Sequence, residues 1–156
     1  MAYVLSRRSR SNLEGVHPDL VKVVERAIEI TACDFMVAEG LRSLERQREL
    51  VANGDSWTLD SRHLTGHAVD LWAYVAGDIS WNWDHYFTIA TAMRKAAKEL
   101  GVSLRWGGLW DDKLEHTYRP LEPLQDDYVA SFRSRHGRSP KLDGPHFELH
   151  RDSYPS

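Results

Sequence analysis

The chain has 156 residues, 20 basic and 23 acidic side chains and a formal charge of −3. That is the length of one ordinary domain, able to bury a core without disulfides or structural metals, so any metal serves chemistry rather than folding. Balanced charge gathers no polyanion, which excludes nucleic acid as a first expectation, and the single cysteine, Cys33, excludes an internal disulfide and a thiolate metal cluster.

The first residues run basic and serine-rich, with Arg7, Arg8 and Arg10. They lack the apolar stretch of a secretory signal, and no later segment approaches the roughly 18 continuous apolar residues of a membrane span. A solvated terminus and a chain free of stable membrane association are expected. From Pro18, the apolar residues Leu20, Val23, Val24, Ala27 and Ile28 recur at the spacing of one helix face and predict a helix to about Thr31. Residues 35–38 predict a short strand, and Gly40 a turn into a second helix capped by Ser43 and stopped by Gly54, with Arg42 at the corner.

After a polar loop, residues 68–75 alternate with a period of two: Val69, Leu71, Ala73 and Val75 face one way, and Ala68, Asp70, Trp72 and Tyr74 the other. Asp70 thereby leaves the core face. Asp84 is placed to cap a third helix that reaches Leu100 and ends at Gly101, and a strand over 102–106 follows, closed by Gly107 and Gly108. Residues 111–142 are charged and irregular, with a short helix expected around Leu124, Tyr128 and Phe132. A last strand over 145–151 sets Phe147 and Leu149 on one side and His146, Glu148 and His150 on the other. With no repeat or linker, this pattern predicts one α+β domain over residues 1–156, a small, mostly antiparallel sheet with flanking helices.

The densest chemical signal is the run from Ser61 to Asp70, where a loop carrying His63 and His67 enters a strand bearing an isolated carboxylate. Two imidazoles and one carboxylate are the donor set of a catalytic zinc: three protein ligands, a fourth position open to water, and a net charge of about +1 that keeps the ion Lewis-acidic. His63 and Asp70 supply two donors from one segment, and the polar side of the last strand offers the third through His146, on the sheet face. His67, four residues after His63, is a competitor disfavoured by the intervening Gly66. His150, Glu148 and His136 remain open.

The spaced motif Ser61-x-His63-x-x-Gly66-x-Ala68-x-Asp70, followed by Asp143-Gly144-Pro145-His146, resembles the zinc peptidases of the D-alanyl-D-alanine carboxypeptidase and dipeptidase (VanY and VanX type) family. Within it, the chain looks most similar to phage endolysins that act as L-alanyl-D-glutamate endopeptidases. Further landmarks fall in the same order: Val16-His17-Pro18-Asp19-Leu20, then Gly40-Leu41-Arg42-Ser43 with Gln47, then Leu104-Arg105-Trp106-Gly107-Gly108.

The resemblance implies one zinc ion held by His63, Asp70 and His146, with Asp143 as catalytic carboxylate and Arg42 facing the substrate carbonyl to stabilise an oxyanion. Ser61, Gln47 and Trp106 are implied in support of the site or at the substrate. Six tryptophans invite reading a sugar-binding platform, but packing is expected for most, with Trp106 and Trp110 bordering the cleft.

Three departures stand out: Leu109 at a position expected to be polar, a long segment over 111–142, and Gly144 where some members carry a further histidine. Asp111, Asp112, Asp126 and Asp127 are expected to be solvated rather than to bind a cation. The implied activity is hydrolysis of peptidoglycan stem peptides at the L-Ala–D-Glu bond by a monomer without a separate wall-binding domain, made in the bacterial cytoplasm and reaching the wall after the membrane is permeabilised. The rivals are removal of terminal D-Ala by the same chemistry and a noncatalytic zinc module.

Overall fold

In the computed structural model, which describes residues 2–155, ten regular elements follow one another along the chain. They are α1 (Arg7–Asn12), α2 (Pro18–Ile30), β1 (Phe35–Glu39), α3 (Leu44–Ala52), β2 (Ala68–Val75), β3 (Asp78–Ser80), α4 (Trp83–Leu100), β4 (Leu104–Trp106), α5 (Leu121–His136) and β5 (His146–Leu149). All strand pairings are antiparallel, in the order β1-β2-β5-β4, with β3 pairing the far end of β2. The domain is α+β.

The apolar face of α2 forms as its periodicity requires: Leu20, Val23, Val24, Ala27 and Ile28 are all buried. Pro18 occupies the first turn, where its missing N–H costs nothing. Against them pack Ile89, Ala90, Met93, Ala96 and Ala97 of α4 and the inner face of the sheet, including Val69, Leu71 and Ala73. Val75, expected on that inner face, is exposed because the strand runs past the edge of the core, and Ala68 on the opposite face is buried. Asn82, not Asp84, caps α4: its side chain accepts from the Asp84 amide, which moves the helix start to Trp83.

The basic N-terminal stretch is not simply solvated. Ser6 caps α1, whose Ser9 is fully buried and accepts a 2.9 Å bond from the Val37 amide, while Asn12 donates to Val37 O and Ala38 O. α1 thus covers the outer edge of β1 with side-chain hydrogen bonds, which hydrophobic periodicity does not register. The short helix expected after residue 111 is the sixteen-residue α5, ended by Gly137 in the left-handed conformation. Among the described residues, no helix is long and apolar enough to cross a membrane.

Candidate metal centre

A short 3-10 turn, Arg62–Thr65, carries His63 into the site. Ser61 caps it by accepting from the His63 amide at 3.2 Å. Gly66 ends the turn at φ 74°, and a Cβ there would collide with Gly15 O, so both its conformation and the closeness of the neighbouring backbone demand glycine. That break is also why His63 and His67 do not share a helix face. His67 turns instead toward His17, with ring centroids 5.6 Å apart, and bonds to Thr65.

Cross-strand register does the rest. Asp70 of β2 sits directly opposite His146 of β5 and Glu39 of β1. One donor atom each from His63, Asp70 and His146 lies within 4.8 Å of the others, so these three can hold a metal ion. His136, at the end of α5, lies against Phe132, and His150 follows the end of β5 and has its amide bonded to Ser103 O; neither belongs to this group.

Hydrogen bonds decide which ring nitrogen each histidine presents. Gly40 O, 2.8 Å from His63 Nδ1, can only accept, so Nδ1 carries the proton and the Nε2 lone pair faces Asp70 Oδ2 at 3.3 Å. His146 Nε2 lies 2.9 Å from the Glu148 carboxylate, leaving Nδ1 toward Asp70 Oδ1, also at 3.3 Å. Each imidazole nitrogen thus lies 3.3 Å from a different oxygen of the Asp70 carboxylate, which sits between the two rings.

The electrostatics favour a cation there. Burial works against charge on Asp70, but the fields of His63 and the hydrogen bonds of both imidazoles hold its carboxyl well below the usual range. Burial likewise opposes charge on His146, and the hydrogen bonds its ring donates to the Asp70 and Glu148 carboxylates overcome it, raising its pKa to about 10. Glu148, buried and depressed chiefly by its bond to His146, was one of several open ligand candidates in the sequence. It instead bonds the ring of His146 from behind and pairs with buried Arg62 at 3.8 Å and Arg105 at 3.9 Å. Alternation alone gave no reason to place a carboxylate behind an imidazole two residues away.

Arg42 is 8 % exposed and fixed on three sides. Its guanidinium donates twice to Glu39, at 2.9 and 2.7 Å, and once to Gln47 at 2.6 Å, and Nη2 stands 3.5 Å from Asp70 Oδ2. Gln47, fully buried, passes the constraint on by donating to Ser56 and Thr58, which ties the loop after α3 to the site. Trp106, expected at the rim of the cleft, is fully buried; its indole N–H donates to Gly144 O at 2.7 Å, because its alternation on β4 directs it into the core. Trp110 does line the cleft, 5.6 Å from the His146 ring, and the Arg105 guanidinium lies over the Trp110 ring at 4.6 Å.

Asp143 lines the same cleft. Its backbone is clamped from two sides, its amide donating to Gly107 O at 2.9 Å and its carbonyl accepting from the His146 amide at 3.2 Å. Gly107 is required, since a Cβ there would strike Asp143 O. Burial, aided by the charge of Asp70, pushes the Asp143 carboxyl up, which makes it a stronger base when ionised. The cleft encloses about 560 Å³ between the loop after α3 and the segment following α5.

Three donors set for a divalent ion, with a basic carboxylate and a fixed guanidinium in the same cleft, have the layout of a metal-assisted hydrolase. The chain belongs to the phage L-alanyl-D-glutamate peptidase family, whose model matches residues 1–120. It is similar to the L-alanyl-D-glutamate peptidase of Escherichia phage T5, at 36% identity over 71% of this chain and 84% of that one. The crystal structure of the Serratia marcescens L-Ala D-Glu endopeptidase ChiX superposes with a TM-score of 0.75 at 44% identity, over 98% of this chain and 95% of that one. That match, unlike the family model, extends through α5 and β5.

Proposed function

We propose that this protein is a zinc-dependent endopeptidase that hydrolyses the L-Ala–D-Glu bond of peptidoglycan stem peptides. The observation that carries the reading is the convergence of His63, Asp70 and His146, one donor atom from each within 4.8 Å of the others, in a chain of this family. His63, Asp70 and His146 would hold the ion, and bound zinc supplies Lewis acidity and brings the pKa of water near 7. Asp143 takes the proton from the attacking water and returns it to the departing amine. Arg42, held by Glu39 and Gln47, directs its charge where the carbonyl oxygen becomes negative, and its immobility means no reorganisation is needed as that charge develops.

Arg138 and Lys141 also line the cleft. Neither has a carboxylate within 4 Å among the described residues; each lies over an aromatic ring instead, Phe132 and Trp57. Such cations suit a substrate whose D-glutamate bears a carboxylate beside the scissile amide. Acting on the wall after the membrane is breached fits this substrate. Mass spectrometry of digested peptidoglycan checks the bond: new amino-terminal D-Glu is expected, and release of D-Ala with the L-Ala–D-Glu linkage intact would refute the assignment.

Glu148 tunes the site through His146. Glu148→Gln keeps a hydrogen-bond acceptor but removes the charge that fixes the imidazole and balances Arg62, and a fall of about 10- to 100-fold in metal affinity is expected. Competition with a chromophoric chelator measures it, with circular dichroism reporting on the fold.

A further inference from the structure

The six tryptophans are not all spent on packing. Trp81 is 61% exposed, and Tyr74 and Trp83 are 42% and 36% exposed. Trp81 meets Trp72 edge-on at 5.3 Å and runs parallel to Tyr86 at 6.4 Å, with an interplanar angle of 8°. Exposed Trp81, with Trp72 beside it and buried Tyr86 beneath, forms a cluster of aromatic rings of the kind that marks an interaction surface.

Its position is set by two separate stretches of chain. Trp72 follows Asp70 by two residues on β2, so it projects from the same face of the sheet about 6.6 Å along the strand. Trp83, at the start of α4, packs so closely on Gly144 that a Cβ there would come within 3.0 Å of its ring, and Gly144 adjoins Asp143. The patch therefore lies just outside the cleft, adjoining Asp70 along β2 and Asp143 through Gly144.

We infer that this aromatic patch is a docking platform for the glycan strand of peptidoglycan. The inference rests on the peptidoglycan reading above. In the wall, the L-Ala of the stem peptide is joined through its nitrogen to the lactyl group of an amino sugar. The sugar thus begins about two residue lengths, about 7 Å, upstream of the scissile carbonyl. That reach matches the offset of Trp72 from Asp70. Sugar rings carry apolar C–H faces with positive hydrogens, complementary to the negative faces of indole and phenol rings, and Trp and Tyr offer such faces at low entropic cost.

Three ligands test this with the zinc-loaded protein: a disaccharide bearing the stem peptide, the same peptide without sugar, and glycan strands stripped of peptide. The wild-type protein is expected to bind stripped glycan by calorimetry and to favour the sugar-bearing substrate in kcat/KM. Trp81→Ala is expected to weaken glycan binding about 2- to 12-fold and to shrink that preference by the same factor through KM rather than kcat, with Trp81→Tyr restoring most of it. Absence of stripped-glycan binding by the wild type, or equal losses on both peptide substrates, overturns the platform. So does a concentration-dependent dimer that Trp81→Ala dissolves, which would make the patch a self-association surface. Glycan binding without hydrolysis of either substrate would instead sink the peptidase reading and leave the platform standing.

Discussion

Replacing Asp143 with alanine is expected to lower kcat by about 10²- to 10⁴-fold, the usual worth of a positioned general base, while metal content stays near one ion per chain. The reasoning is local. Asp143 is not among the three donors, so its loss leaves His63, Asp70 and His146 in place. Its backbone is held by Gly107 and by the His146 amide, so the side chain has a fixed place in the cleft and no structural duty that alanine would fail. Burial and the neighbouring Asp70 raise its pKa and strengthen it as a base. Asp143→Asn, nearly isosteric but unable to take a proton, should fail as badly as alanine. Steady-state kinetics on purified wall fragments, beside metal analysis of the same preparations, is the check. Turnover within a few fold of wild type would remove Asp143 from the mechanism.

Stripping the metal is expected to abolish hydrolysis and to lower the melting temperature, and added zinc should restore both. Asp70 faces two imidazole nitrogens at 3.3 Å. An ion held between these groups binds only the folded arrangement, so at a free concentration about 1,000 times Kd it adds about 4 kcal/mol of stability. His63→Ala removes one donor and should lose both the activity and the zinc-dependent thermal shift. Full activity in protein verified as metal-free would sink the zinc assignment, whatever the kinetics of Asp143.

The three residues that converge as candidate metal donors were legible because each sits where a simple rule applies. Asp70 is a lone carboxylate on an alternating strand, and the cross-strand partner of that strand carries His146. The loop motif supplied His63. Glu148 and Arg62 were harder, since strand alternation reads them as a polar face, whereas all four residues of β5 are buried by the loops above the sheet. Trp106 misled for the opposite reason: its neighbours Gly107 and Gly108 mark a loop at the cleft, but its own parity on β4 points it inward. The helix α2 and the strand β2 were readable to within a residue because their apolar spacing is strong. α1 and α5 were not: α1 is held by serine and asparagine bonds, and α5 buries only Leu121, Gln125 and Tyr128, too thin an apolar stripe to stand out from its charges.

The strand order β1-β2-β5-β4 puts the last strand made between two that precede it. Asp70 and His146 are 76 residues apart, so a ribosome-bound chain lacking residue 146 has only two of the three candidate donors and lacks the strand that pairs with both β2 and β4. Insertion of β5 closes the sheet and completes the donor set in one event. If His146 is a ligand as proposed, chains that stop before it are expected to be inert, which would spare the cell making this hydrolase unfinished but active copies.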